Sequence, residues 1–317
     1  MDTQAVIAYE NSCSLIVSLD TGSPCSCELP TVAERDAQLL TLWLYGKSEK
    51  TVMAYTRDLN KFYREVGKPL GQTTLEDLQQ FSASLSHLAT ASRARTLAAV
   101  KSAMSFGAKM QMLPTNVGAM LELPKIEDTL AERIMSEESV EDILPLETDK
   151  RNHAMIVLLY FAGLRVSELC NLTWRNLQER DMTGQISVFG KGKKTRHVLL
   201  DTDTWREVWA LRGKAGLDDY VFPSRQTHSR KGKNSKRLDE ARVHQIVREA
   251  ANRAGVAVDR VSPHWFRHAH ATHALEAGAS IALVKETLGH SSIETTARYT
   301  HVRPNASSST YLRRKKE

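Results

Sequence analysis

Apolar positions recur at helical spacing through most of the chain and at strand spacing in one short stretch. Val52, Tyr55, Leu59, Phe62 and Val66 fall at i, i+3, i+7, i+10 and i+14, which predicts one face of an amphipathic helix. Ser48 precedes it as an N-cap with Glu49 in the first turn, and Gly67-Lys68-Pro69 ends it. Thr74 caps a second stripe through Leu78, Phe81, Leu85 and Leu88, and a third helix is expected from about Ser92 to Met110. With the segment around Leu39 to Leu44, this gives four or five short helices between Thr31 and Pro124 and no strand.

The pattern lapses at residues 125–136, a mixed-charge stretch expected to be a linker. Ser136 with Glu137 and Glu138 opens the next helix, and Asp149 caps another whose apolar run, Met155 to Phe161, suits burial on most sides. That helix stops at Gly163. Arg165 follows, either projecting from a rigid base or paired with Glu168, since a buried arginine is usually paired. Gln185 to Phe189 and Arg196 to Leu200 carry strand signals, and the glycine-bearing turn between them predicts a hairpin. Helices return around Thr204 to Ala215, from Asp239 to Ala254, and again from His264. The expected fold class is mainly α with a small antiparallel β-sheet in the second of two domains.

Charge sharpens this picture. The chain has 317 residues and a net charge of +6. Residues 1–30 contribute −4, residues 31–125 contribute +4 and residues 126–317 contribute +6. Both expected domains are therefore basic, as suits contact with a polyanion, while 1–30 reads as a flexible acidic extension. Lys47, Lys50, Arg57, Lys61, Arg93, Arg95 and Lys101 fall on polar helix faces, where they either meet phosphate or are simply solvated. Lys191, Lys193 and Lys194 crowd the hairpin turn, where their mutual repulsion is met either by an anion such as phosphate or by solvation of the tip. Arg225 to Arg237 holds six basic side chains, Arg230, Lys231 and Lys233 among them, and no acid. Such a loop neutralises backbone phosphate rather than reading bases.

Other classes recede. No apolar run reaches the ~20 residues of a membrane helix, and no Lys or Arg precedes Arg35 to form a signal peptide's basic region. A cytoplasmic, nucleoid-associated protein is expected, with no membrane contact. Cys13, Cys25, Cys27 and Cys170 suggest neither a disulfide framework nor a zinc site, because no histidine precedes His87. His268, His270 and His273 read as packing or supporting residues, and no metal is expected.

Residues Ser262 to His301 carry the chemistry. His264 and Arg267 lie three apart, His290 sits in a Leu-Gly-His turn, and Tyr299 follows nine residues later. Arg and His donors that neutralise phosphoryl oxygens, together with a positioned phenol, are what nucleophilic attack on a phosphodiester needs.

Five blocks in this order resemble the motif set of the tyrosine recombinases, of the Xer and phage-integrase type. They are GLRVSEL with Arg165, GKGKKTR with Lys191, HWFRH with His264 and Arg267, LGH with His290, and ARYTH with Tyr299. The resemblance covers about Ser136 to Val302, and residues 31–124 are similar in kind to that family's SAM-like core-binding domain. It implies a two-domain clamp on double-stranded DNA, with the catalytic domain over 137–317. Tyr299 would form a 3′-phosphotyrosyl link, with Arg165, Arg267 and His290 stabilising the phosphoryl charge. His264 would assist loss of the phenol proton, Lys191 would protonate the departing 5′ oxygen, and Glu168 would orient its neighbours. It also implies no cofactor, a homotetramer on two duplexes, and room for accessory proteins. Eighteen residues follow Tyr299, short for the C-terminal segment that members exchange. Two other functions fit the same residues: type IB topoisomerase-like relaxation, and a non-catalytic DNA-binding regulator.

Overall fold

The computed structural model describes residues 32–127, 129–130, 134–181, 183–189, 195–225, 236–257 and 261–301. These form two compact units that part after Glu127. Among the described residues, no helix is long and apolar enough to cross a membrane.

The first unit comprises α1 (Val32–Leu44), α2 (Glu49–Val66), α3 (Leu75–Ser84) and α4 (Thr90–Lys109). The Ser48 hydroxyl caps α2 by accepting from the Thr51 amide, and Gly67 closes it at φ +64. Thr74 and Asp77 form a reciprocal capping box on α3. The stripe predicted to run on through Leu88 instead tightens after Ser84 into a 3-10 turn, Leu85–His87, as the Ser84 hydroxyl donates back to the Phe81 carbonyl. Leu39, Trp43, Leu59, Phe62, Phe81, Leu97 and Met104 close around one core. Burial raises Asp36, while it accepts from the Leu70 amide and the Tyr63 hydroxyl, and Asp58 accepts from Thr96 and Arg95.

The second unit places a small sheet beside a stack of helices. Its helices are α5 (Glu137–Ile143), α6 (Lys150–Phe161), α7 (Val166–Cys170), α8 (Thr202–Ala210), α9 (Glu240–Arg253), α10 (Pro263–Glu276), α11 (Ile281–Leu288) and α12 (Ile293–Ala297). A 3-10 turn, Arg298–His301, carries Tyr299. The sheet has three antiparallel strands in the order β1 (Leu177–Arg180), β2 (Thr183–Phe189) and β3 (Thr195–Leu200), with Ile186 opposite both Leu177 and Val198. The expected fold class is observed: mainly helical with a small antiparallel sheet. β1 escapes the sequence because only Leu177 of its four residues is buried, so it has no alternation to see. The helix expected from Thr204 to Ala215 begins earlier, after the Asp201 cap, and ends at Ala210.

α6 and α10 form the spine of this unit. Met155, Ile156, Leu158 and Leu159 pack with Phe266 and Ala269, and α10 is buried on nearly every side. A helix buried all round cannot rotate, so polar side chains leaving it have fixed directions.

In the first unit, Asp58 is a fully buried carboxylate with two side-chain partners. Asp58→Ala leaves the Thr96 hydroxyl and Arg95 without their acceptor. The change is expected to cost about 2–4 kcal/mol in urea unfolding of the full chain, a loss that Asp58→Asn only partly avoids.

Candidate active site

The site is assembled around the carboxyl end of α11, where a helix leaves its last carbonyls without intrahelical partners. Three arginines take three successive carbonyls. Arg196 of β3 donates from Nε to Thr287 at 2.7 Å, Arg267 of α10 donates to Leu288, and Arg165 donates to Gly289 at 3.4 Å. Arg267, only 1% exposed, also donates to the Gly163 carbonyl at the end of α6. Cations at the negative end of a helix dipole are favourably placed. The next residue after this turn is His290.

Glu168 holds two of these guanidiniums together. It accepts both terminal nitrogens of Arg196 at 2.8 Å and Arg165 Nη1 at 2.9 Å, and its other bond is to the Arg165 amide at 2.8 Å. Glu168 and Arg196 are 8% and 9% exposed, whereas Arg165 keeps 37% of its side chain accessible. Burial alone would raise the Glu168 carboxyl, but the bonds and charge of Arg196, then Arg165, hold it down to about 2. Three guanidiniums against one carboxylate leave a net +2, so the cluster is built to receive an anion.

Two glycines make the close approach possible. Gly163 at φ +57 would put a Cβ 2.7 Å from Leu288 and 2.9 Å from His270. Gly289 at φ +64 would put one 2.9 Å from Arg196 Cδ. A side chain at either would strain the backbone and push the arginines from their carbonyls.

Tyr299 lies in this unit, 6% exposed, in a small apolar cluster with Leu130, Ile134, Ala271, Val284 and Leu288. Its hydroxyl is 2.7 Å from His268 Nδ1, and its ring lies nearly parallel to that of His290, with centroids 6.3 Å apart. Burial raises its pKa, opposed by the charges of Arg267, Arg298 and Arg165. His290 is lowered to about 4 by burial first and then by the surrounding arginines, so it is neutral at pH 7. Its Nδ1 is 2.9 Å from the buried Thr296 hydroxyl. When Thr296 donates there, the imidazole proton sits on Nε2, free to be offered as a hydrogen bond.

Arg165, Arg267, His290 and Tyr299 thus come together. His264 lies on the exposed side of α10 and meets His268 edge-on, with ring centroids 4.3 Å apart. Lys191, Lys193, Lys194, Arg230, Lys231 and Lys233 lie outside the described residues. In the first unit, Lys47 rides over the rings of Trp43 and Tyr55, Arg57 is exposed, Arg93 donates to Ser82, and Arg95 is tied to Asp58. Lys50 stands in the first turn of α2.

Sequence reasoning gave no role to Arg196 or Thr296 and only an unspecified supporting one to His268. Arg196 shares the inward face of β3 with Val198 and Leu200, and a charge on an apolar face signals a buried partner. His268 was expected to pack or to support its neighbours, and its Nδ1 reaches the Tyr299 hydroxyl. Thr296 carried no signal beyond its place between His290 and Tyr299. Of the other expected packing residues, His273 shares a 2.9 Å hydrogen bond with the Tyr160 hydroxyl, and His270 bonds the Tyr160 backbone. Among the described residues, no group of three or more His, Cys, Asp or Glu could hold a metal ion.

Comparison with known proteins identifies the family. Residues 132–306 match the model described as "Phage integrase family", and residues 39–109 match "Phage integrase, N-terminal SAM-like domain". The chain is 34% identical over 282 residues to tyrosine recombinase XerD of Vibrio cholerae, covering 83% of this chain and 89% of that one. It is 35% identical over 264 residues to tyrosine recombinase XerA of Pyrococcus furiosus, covering 82% and 86%. Among solved structures, XerH bound to its difH substrate shares the fold at TM-score 0.65 and 19% identity, over 87% of this chain and 83% of that one. The Tn1549 transposon integrase with circular intermediate DNA does so at 0.67 and 16%, over 88% and 99%.

Two outcomes follow from the buried charges. Arg196→Met should cost about 3–5 kcal/mol in urea unfolding, because it leaves a buried carboxylate short of its main partner. His270 and His290 are both lowered to about 4 from 6.5, with burial the largest cause, so they take up protons only on unfolding. Stability should therefore decline as pH falls from about 6.5 toward 4, and His290→Gln should flatten part of that decline in thermal melts.

Proposed function

The chain belongs to the phage integrase family and is a tyrosine recombinase, and we propose that Tyr299 is the nucleophile with which it cuts and rejoins double-stranded DNA. The observation that carries this reading is a buried phenol set beside a cationic cluster with net charge to spare.

In the proposed step the Tyr299 oxygen attacks the scissile phosphorus, and the bond to the 5′ oxygen of the next nucleotide breaks. The products are a 3′-phosphotyrosyl link and a free 5′-hydroxyl. Arg165 and Arg267 hold the non-bridging oxygens with forked, charge-assisted bonds that a lysine would not reproduce. Arg165 has the exposed edge needed to reach phosphate, while Arg267 acts from a buried seat. Neutral His290 adds a donor from Nε2 as charge grows on phosphorus. A phenol buried this way needs help in losing its proton, and His264 assists through His268, which it meets edge-on and whose Nδ1 lies 2.7 Å from the Tyr299 hydroxyl. Lys191 gives a proton to the departing 5′ oxygen. Glu168 and Arg196 do no chemistry and keep Arg165 aimed.

Because the phosphotyrosyl bond conserves the energy of the broken phosphodiester, a 5′-hydroxyl from a partner strand reverses the step without a cofactor. Exchange between duplexes then requires four protomers on two DNA segments, which places the protein with the nucleoid. The helical first unit supplies a second DNA contact through Lys47, Lys50, Arg57 and Arg93. Lys193, Lys194, Arg230, Lys231 and Lys233 add salt-dependent phosphate contacts. Relaxation as a monomer and a regulator without chemistry are not favoured, since the relatives at 34–35% identity are tyrosine recombinases.

A nicked suicide duplex carrying the target site tests the reading. Wild-type protein should accumulate a covalent adduct, and Tyr299→Phe should give none. Arg165→Ala and Arg267→Ala should slow adduct formation about 10²–10³-fold. Lys191→Ala should lose about 10²–10⁴-fold on ordinary DNA and recover most of it when the leaving oxygen is replaced by sulfur, which departs without a proton. An adduct from Tyr299→Phe would refute the assignment.

A further inference from the structure

The hydroxyl of Tyr299 meets His268, the last residue of the HWFRH block, to which the resemblance assigns no role. His268 Nδ1 lies 2.7 Å from it, with the two rings tilted at 45° and their centroids 5.6 Å apart. His268 follows Arg267 on α10 and is itself buried. Its direction is set by the helix: Arg267, about 100° round the axis, is tied to the Gly163 and Leu288 carbonyls, which leaves α10 no freedom to turn. His264, one helical turn earlier, closes the outer side of the imidazole edge-on.

We propose that His268 is a positioning residue for strand cleavage: with its own proton on Nε2, it accepts the Tyr299 O–H at Nδ1 and so aims the phenolic oxygen at the phosphate held by Arg165 and Arg267. This rests on Tyr299 being the nucleophile. The geometry supports an aiming role over a merely structural one. A Tyr299 ring needing only apolar packing already has Ala271, Val284 and Leu288 around it. What those residues cannot do is fix the rotation of the O–H bond, on which the direction of the attacking lone pairs depends. A hydrogen bond to an imidazole held by a buried helix does fix it. It also draws the proton away from the oxygen, in a place where burial otherwise strengthens the hold of the phenol on that proton.

Two variants separate aiming from packing. His268→Phe keeps a ring in the same space and removes the acceptor, whereas His268→Asn returns an oxygen near the Nδ1 position. Single-turnover adduct formation is measured at saturating suicide duplex, alongside DNA affinity and the thermal midpoint. His268→Phe should slow the adduct step about 10–100-fold with DNA affinity unchanged, and His268→Asn should regain at least about tenfold of a hundredfold loss. The proposal is overturned if folded His268→Phe cleaves within about twofold of wild type, the scatter expected where no contact is lost. It is equally overturned if His268→Asn is no faster than His268→Phe. Should His268→Phe lose its thermal transition, His268→Asn is compared with His268→Gln, whose oxygen sits nearer Nε2. Asn faster than Gln supports aiming through Nδ1, and the reverse order rejects it. Tyr299→Phe runs beside them. An adduct there removes the nucleophile itself, whereas no adduct there with an unaffected His268→Phe rejects only the role of His268.

Discussion

Three guanidiniums docked on three consecutive carbonyls at the end of one short helix hold this site together. Thr287, Leu288 and Gly289 are bonded by Arg196, Arg267 and Arg165, which come from a strand, a buried helix and the residue that opens another helix. Each bond satisfies a carbonyl that a helix end leaves open, and each holds an arginine that would otherwise be repelled by the next. Glu168 makes the crowding tolerable by sharing its carboxylate between two of them. Removing Glu168 takes the shared carboxylate from both Arg165 and Arg196 and leaves their charges facing one another.

This arrangement links fold to chemistry. The +2 left over after Glu168 is counted favours an anion, the place proposed for the scissile phosphate. His290 enters through the same turn. The αL backbone at Gly289 places it directly after the carbonyl that Arg165 holds, and the arginines around it add to burial in keeping its imidazole neutral. With Thr296 donating to its Nδ1, a neutral imidazole has its proton on Nε2 and brings no fourth full charge into the cluster. Electrostatic preorganisation of this kind costs stability before substrate binds and returns it as transition-state stabilisation.

Much of the architecture is legible from spacing because it follows from local rules. Ser48, Thr74, Ser136 and Asp149 cap helices where their side chains predict caps, and the apolar stripe from Val52 to Val66 is one helix. Elements that depend on distant partners are not legible in that way. β1 exists because β2 pairs with it, and its own residues alternate too little to announce it. The ordered motifs pick out Arg165, Arg267, His290 and Tyr299, which the fold brings into one unit. They contain Arg196 and His268 at the ends of two blocks but assign neither a role, since neither is chemically unusual until its partner is known. Arg196 could have been suspected from strand alternation, as a charge on the same face as Val198 and Leu200. His268 could not, because a histidine beside an arginine on a helix buried all round has many ordinary explanations.

The account turns on a phosphate being held by Arg165 and Arg267 with the Tyr299 oxygen behind the phosphorus. The most direct measurement is a crystal structure of the protein on its target duplex, nicked at the scissile position and bridged by vanadate. The account predicts a trigonal-bipyramidal vanadium with the Tyr299 oxygen and the 5′ oxygen at opposite apices, and with Arg165 and Arg267 on the equatorial oxygens. Vanadate bound with another side chain at the apex, or held away from both arginines, would contradict it.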